Sequence, residues 1–319
     1  MKKTIMVSLI ASSMLFGLDV TGLNVQEDSS VDTSSTLKNG ANVSQAETNI
    51  GEYEGTTKVN NLEIIQTESG DPASGGNVIT NSTITKAWVT QGLTDISDSI
   101  VDNITLESDS KISGTTISGF YTDVAQGSFI VNESNATGTV DATNVDITST
   151  NSITDSTITD STIKQSVTSL QSNAKVSGLD VMQTNTINKA DITGSEVTQA
   201  YTKVTDATVI GLASTQTNRI NKVDGVDANI TGSSQIHQGD ILIKKSDNGS
   251  LTTVTNLSQT NMNNDIDQII IKNSAILTQS VTDIADSTVT NLTMTNMDND
   301  FKNSTLDNSE FNQAKITIR

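Results

Sequence analysis

The sequence predicts an all-β fold, a parallel β-solenoid wound from short repeats, with a poorly ordered N-terminal segment ahead of it. Three observations predict it. Aliphatic residues recur at a spacing of five, an 18-residue stretch occurs twice, and Thr, Ser, Asn and Asp fill most positions between.

The spacing is clearest at Ile153, Ile158 and Ile163, within Asn-Ser-Ile-Thr, Asp-Ser-Thr-Ile-Thr and Asp-Ser-Thr-Ile-Lys. It recurs at Ile79, Ile84 and Val89; at Ile96, Val101 and Leu106; and at Ile187, Ile192 and Val197. Later series are Ile271, Ile276 and Val281; Ile284, Val289 and Met294; and Phe301, Leu306, Phe311 and Ile316. A flat strand alternates with period two and a helix with 3.6, so five fits neither. It fits a chain that turns a corner every few residues and sends one side chain inward per edge, with coils stacked about 4.8 Å apart. With coils of about 20 residues, residues 77–319 would hold roughly 12 coils spanning on the order of 60 Å. Thr, Ser, Asn, Asp and Gly are weak helix formers, which removes the helical alternative.

Internal repetition supports this reading. Val89 to Leu106 reads VTQGLTDISDSIVDNITL and Leu277 to Met294 reads LTQSVTDIADSTVTNLTM; ten of the 18 aligned positions are identical.

Hydrophobic residues make up 34% of the chain and aromatics 3%, too few bulky side chains for a thick core but enough Ile, Val and Leu for a narrow one. Low hydrophobicity with a net charge of −19 also fits disorder. The regular aliphatic spacing and the abundance of strand formers outweigh it. There is no Cys, so backbone ladders and stacking must hold the fold without disulfides. An acidic surface repels nucleic acid and anionic lipid. Self-association, or a surface glycan or protein ligand, is the expected partner class.

Along the chain, residues 1–22 read as a secretory signal. Lys2 and Lys3 precede an apolar stretch from Ile5 to Leu18, which is shorter than the ~20 residues a membrane span requires. Residues 23–76 read as an acidic Ser/Gly-rich spacer, ordered at most in part, although Val59 and Ile64 hint at an earlier start of the repeat. Residues 77–319 are the repeat solenoid. The expected location is secreted or at the cell surface, with the periplasm open, and no integral membrane segment once the signal is removed.

Asp155-Ser156-Thr157-Ile158-Thr159, Asp286-Ser287-Thr288-Val289-Thr290 and Asn303-Ser304-Thr305-Leu306-Asp307 resemble the units of pentapeptide-repeat proteins. That resemblance implies a right-handed quadrilateral β-helix. Phase slips between runs are accommodated better by a less regular parallel β-helix, like those of bacterial adhesins. The expected fold is therefore a right-handed parallel β-helix whose cross-section is left open.

Catalysis finds little to work with. His237 is the sole histidine, in Gln235-Ile236-His237-Gln238-Gly239, and is expected at an outward strand position. No nucleophile elbow, phosphate loop or dinucleotide glycine pattern occurs. Arg219 and Arg319 are the only arginines, which disfavours binding of an acidic polysaccharide, and no enzyme activity is expected. Calcium is the one cofactor to consider, weakly, at Asp265 and Asp267 and at Asp298 and Asp300, with Asp224 and Asp227 at a further turn. None matches a calcium-loop pattern, and acidic surface turns are the plainer reading. Sequons at Asn135 and Asn229 match a longer acidic form but are expected by chance. Trp88 could stack on a sugar; a cap or edge position is the preferred reading.

The expected function is that of an exported, non-catalytic structural or adhesive protein of the bacterial cell surface or extracellular matrix. Two alternatives stay open. One is a self-assembling fibre subunit resembling the curli class of functional amyloids, suggested by Gln91, Gln165 and Gln279 near repeat starts. The other is a polysaccharide-binding or polysaccharide-active β-helix protein.

Overall fold

The computed structural model describes residues 77–319 except 81, 98, 121, 132–139, 222–227, 247–250, 268, 273–274, 296–297, 303 and 308. It also describes backbone strands between Ser13 and Gln66. Within these residues the chain is an all-β parallel solenoid without helices.

One coil shows the plan. Asp141–Thr154 forms a long strand, followed by Thr157–Thr159, Thr162–Gln165 and Thr168–Gln171 on three short edges. The next coil repeats it with Lys175–Asn188, Asp191–Thr193, Glu196–Gln199 and Thr202–Thr205. Each strand pairs in parallel with its counterpart one coil away, as in Ile153↔Ile187, Ile158↔Ile192 and Ile163↔Val197. Four sheets result, here called the long sheet, the first short sheet, the glutamine sheet and the closing sheet, in chain order.

The spacing of five is the pitch of three successive edges. Ile153, Ile158 and Ile163 enter one apolar lobe from the end of the long strand and from the next two sheets, and all three are fully buried. The rest of the coil follows another rule. Along Asp141–Thr154, buried Val145, Ile147, Ser149, Asn151 and Ile153 alternate with outward residues at period two.

Coil length differs from the expected 20 residues. Equivalent glutamines in successive coils are separated by 34 to 46 residues, because the long strand replaces one short edge by 14 residues. The axial extent is correspondingly shorter: eight stacked strands in the glutamine sheet span roughly 34 Å. The series Ile271, Ile276, Val281 is also out of phase. Ile276 is 37% exposed, while its neighbour Leu277 is fully buried and continues the column of Val197 and Ile236. The side chains of Ile271, Met294, Phe301 and Leu306 lie outside the described residues.

The long strand bends at one position in each of six successive coils. Asn103, Asn144, Gly178, Gly211, Asn256 and Asn291 all have φ between 52° and 72°, and the pairing register skips this position. Glycine and asparagine tolerate this left-handed conformation best. A Cβ on Gly178 would sit 3.3 Å from Asn144 Oδ1, so the column is packed as well as bent.

Two apolar lobes fill the interior. One joins the closing sheet to the first half of the long sheet, through Ile96, Val131, Leu170, Val204, Ile243, Val145 and Leu179. The other joins the remaining edges, through Ile84, Ile117, Ile158, Ile112, Ile153 and Ile163. Phe129, in the first lobe, is the largest fully buried side chain.

Candidate functional site

Between the lobes runs a wall of buried amides. The last residue of each glutamine-sheet strand is Gln45, Gln91, Gln126, Gln165, Gln199, Gln238, Gln279 or Gln313. From Gln91 onward each Nε2 donates to the Oε1 of the glutamine one coil earlier, at 2.7 to 2.9 Å. The six from Gln91 to Gln279 are fully buried. Gln91, Gln165 and Gln279, singled out in the sequence, belong to this single continuous ladder.

A second ladder faces it from the long sheet. Asn151 donates to Asn185 at 3.0 Å, Asn185 to Asn218 at 2.9 Å, Asn218 to Asn264 at 2.7 Å and Asn264 to Asn299 at 2.7 Å. These bonds run towards higher residue numbers, whereas the glutamine bonds run towards lower ones. Two parallel rows of amide dipoles therefore point in opposite axial directions.

After each glutamine from Gln91 onward the chain turns in a left-handed conformation at a small residue: Gly92, Gly127, Ser166, Ala200, Gly239, Ser280 or Ala314. Space explains the size. A Cβ on Gly127 would lie 2.8 Å from Asn151 Nδ2. Where serine occupies the turn its hydroxyl joins the wall: Ser166 Oγ donates to Asn185 Oδ1 at 2.7 Å, and Ser280 Oγ donates to Asn299 Oδ1 at 2.8 Å.

The outer side of the same turns forms a corner between the glutamine and closing sheets. A groove of about 250 Å³ lies there, lined by Trp88, Leu93, Ile130, Val167 and the ion pair of Asp123 and Lys164, among others. Lys164 Nζ lies 3.3 Å from Asp123 Oδ2. Trp88 is 48% exposed. Its strand lies between Asn42–Gln45 and Asp123–Gln126, so Trp88 is neither the cap nor the sheet edge expected of it.

Further along the corner the lining becomes polar. Tyr201 and Asp240 occupy the turn position held by Leu93 and Val167, and His237 follows Lys164 and Thr198 in the outward column. His237 Nδ1 lies 3.1 Å from Asp240 Oδ2 and 2.8 Å from Thr278 Oγ1. The Thr278 hydroxyl donates to Asp240 Oδ2, and Asp240 Oδ1 accepts the Val281 N–H at 2.9 Å. His237 thus points outward as expected, yet its ring is tied down. A nucleophilic triad needs the acid on one ring nitrogen and the hydroxyl on the other; here both meet Nδ1, an arrangement that braces the corner. Burial, reinforced by Asp240, Asp283 and Glu196, pushes the Tyr201 hydroxyl up to about 12. Burial also holds the Lys203 ammonium below its usual value, helped by Lys244, and Lys203 donates to Gln171 Oε1 at 3.1 Å.

No family model, curated protein or solved structure matches this chain.

The resemblance to pentapeptide repeats accordingly rests on the sequence pattern. Of the calcium candidates, Asp265 pairs in register with Asp300, and Asp298 pairs with Asn263. Asp265 Oδ2 lies 3.5 Å from Arg219 Nε. The side chain of Asp267 and the turn holding Asp224 and Asp227 lie outside the described residues, as do Asn135 and the side chain of Asn229. Among the described residues no group of three or more His, Asp or Glu is placed to hold a metal ion, and no helix is long and apolar enough to cross a membrane. Sequence reasoning missed Asp240 and Tyr201. The available signal was positional: each stands two residues after a ladder glutamine.

Proposed function

We propose that this chain is an exported, non-catalytic structural and adhesive element of the bacterial cell surface or matrix. The glutamine ladder carries the reading. It stitches successive coils into one stiff stack through the middle of the core, and a buried amide zipper with opposed dipoles is a device for axial rigidity. Stacking also repeats similar side-wall chemistry every ~4.8 Å, which suits many weak contacts acting together. The corner groove around Trp88, with an aromatic face beside an internally neutralised ion pair, is the contact surface it offers to a neutral glycan.

Immunogold labelling of intact producing cells and their matrix tests the location, and surface attachment of cells lacking the chain tests the role. Label on the cell exterior and weakened attachment are expected. Label confined to the cell interior, or attachment unchanged by the deletion, would overturn the proposal.

A further inference from the structure

The polar wall is interrupted one coil before Ser166, and we infer that a single buried water bridges the interruption, held between the hydroxyls of Ser108 and Ser128. The inference concerns the interior of the solenoid and stands apart from the role proposed above.

Two successive coils differ at the turn after the ladder glutamine. Ser108 pairs in register with Ser149, and Gln126 with Gln165, so Gly127 holds the position that Ser166 holds one coil later. In the later coil the Ser149 and Ser166 hydroxyls meet at 2.8 Å. Gly127 offers Ser108 no such hydroxyl. Space bars a side chain there as well, since a Cβ on Gly127 would lie 2.8 Å from Asn151 Nδ2 and 3.0 Å from Ser149 Cβ.

The hydrogen bonding shows the consequence. Ser108 is 8% exposed and Ser128 is 5% exposed, and neither Oγ has a partner within the chain. Both line one cavity of about 10 Å³, together with Gly92, Gly127 and Ser149. Buried hydroxyls are rarely left unpaired, because nothing then offsets the loss of their hydration. A cavity of this size admits about one water, which needs at least two polar partners. Two hydroxyls, each able to donate or accept, supply them. An apolar occupant would leave both unpaired. A cation would find no buried counter-charge, since Glu107, the only charged residue in the lining, is exposed on the outer side of its strand. Ser128 also lines the groove beside Trp88, which places the cavity directly behind that groove and lets its water exchange past one side chain. Where glycine takes the turn, water thus makes the contact that the Ser166 hydroxyl makes one coil later.

The test pairs a crystal structure of the full chain, at a resolution that shows ordered water, with oxygen-17 relaxation of water in solutions of the chain. The solutions compare the parent with a Ser108→Ala, Ser128→Ala double variant and with Ser152→Ala. Ser152 lies on the outward side of the long strand and serves as the control. The crystal should show one peak within hydrogen-bond distance of both Ser108 Oγ and Ser128 Oγ. The number of long-lived waters should fall by about one in the double variant and stay unchanged in Ser152→Ala. A dry cavity, a peak that touches neither hydroxyl, or density that refines as a cation would overturn the inference. So would an equal number of long-lived waters in the parent and the double variant. Should the double variant fail to fold, the crystal structure of the parent decides alone.

Discussion

Ser166 and Asn151 meet across the core: Ser166 Oγ lies 2.6 Å from Asn151 Nδ2, joining the turn after Gln165 to the asparagine ladder on the opposite sheet. The contact closes the amide wall from both sides, and it divides one apolar interior into two lobes. A narrow solenoid gains from this arrangement. Aliphatic side chains alone would permit neighbouring strands to slip along one another, whereas amides satisfied only in one register hold each coil in place.

Replacing Ser166 separates the two contributions of the turn. Ser166→Ala removes an acceptor for Asn151 and the donor to Asn185, and should cost about 1–3 kcal/mol. Ser166→Gly loses the same bonds but relieves the left-handed backbone at φ 56°, and should recover about 1 kcal/mol of that loss. Urea midpoints of the two variants measure the difference, and equal midpoints would show that the turn carries no strain.

Gln165→Leu should destabilise more than Gln313→Leu. At Gln165 the substitution orphans Gln126 Oε1 on one side and Gln199 Nε2 on the other, each worth about 1–3 kcal/mol when buried. At Gln313 only Gln279 Oε1 loses a donor from the ladder, and the position is exposed. Denaturant unfolding of both variants tests the gradient. Similar losses at the two sites would mean that the ladder does not act as a chain of buried bonds.

Much of the fold was legible because certain residue types recur where geometry demands them. Ile153, Ile158 and Ile163 gave the corner pitch, and the duplicated segments fall on equivalent positions of the coil. Val89 and Leu277 face inward, Gln91 and Gln279 belong to the ladder, and Asn103 and Asn291 both bend the long strand at φ 57°. Coil length was misread for a physical reason. The inward positions Ser149 and Asn151 are polar, so hydrophobic spacing falls silent along the 14-residue strand. Four edges of five residues then looked like a complete turn. The corner cluster was harder still. Asp240 and His237 are three residues apart and could be paired from sequence, but Thr278 reaches them from the next coil, 41 residues after His237.

Asp240→Ala should be among the more damaging substitutions on the outer wall. Asp240 is 6% exposed and serves the Val281 N–H, the Thr278 hydroxyl and the His237 ring together. Its removal leaves a backbone donor in the corner without its acceptor, at a cost of about 1–3 kcal/mol. His237→Ala removes only one of the three partners and should cost less. Thermal unfolding of the two variants checks the order, and a larger loss for His237→Ala would mean that the imidazole, rather than the carboxylate, organises the corner.

Tyr201 predicts a stability loss in alkali. Its hydroxyl is pushed up to about 12, first by burial and then by the negative charges of Asp240, Asp283 and Glu196. The unfolded chain releases the same proton near pH 10. Between those values the folded state holds a proton that the unfolded state has lost, so stability falls as pH rises from about 10 to about 12 and levels off beyond. Below pH 10 both states are protonated and Tyr201 adds no pH dependence. The integrated loss is of order 2 kcal/mol. Tyr201→Phe should flatten this limb of the stability profile, since it keeps the ring in place and removes the ionisable group. Urea midpoints collected from pH 9 to pH 12 give the slope, with phenolate absorbance showing Tyr201 as the late-titrating tyrosine. A Tyr201→Phe profile as steep as the parent's would place the alkaline sensitivity elsewhere in the corner.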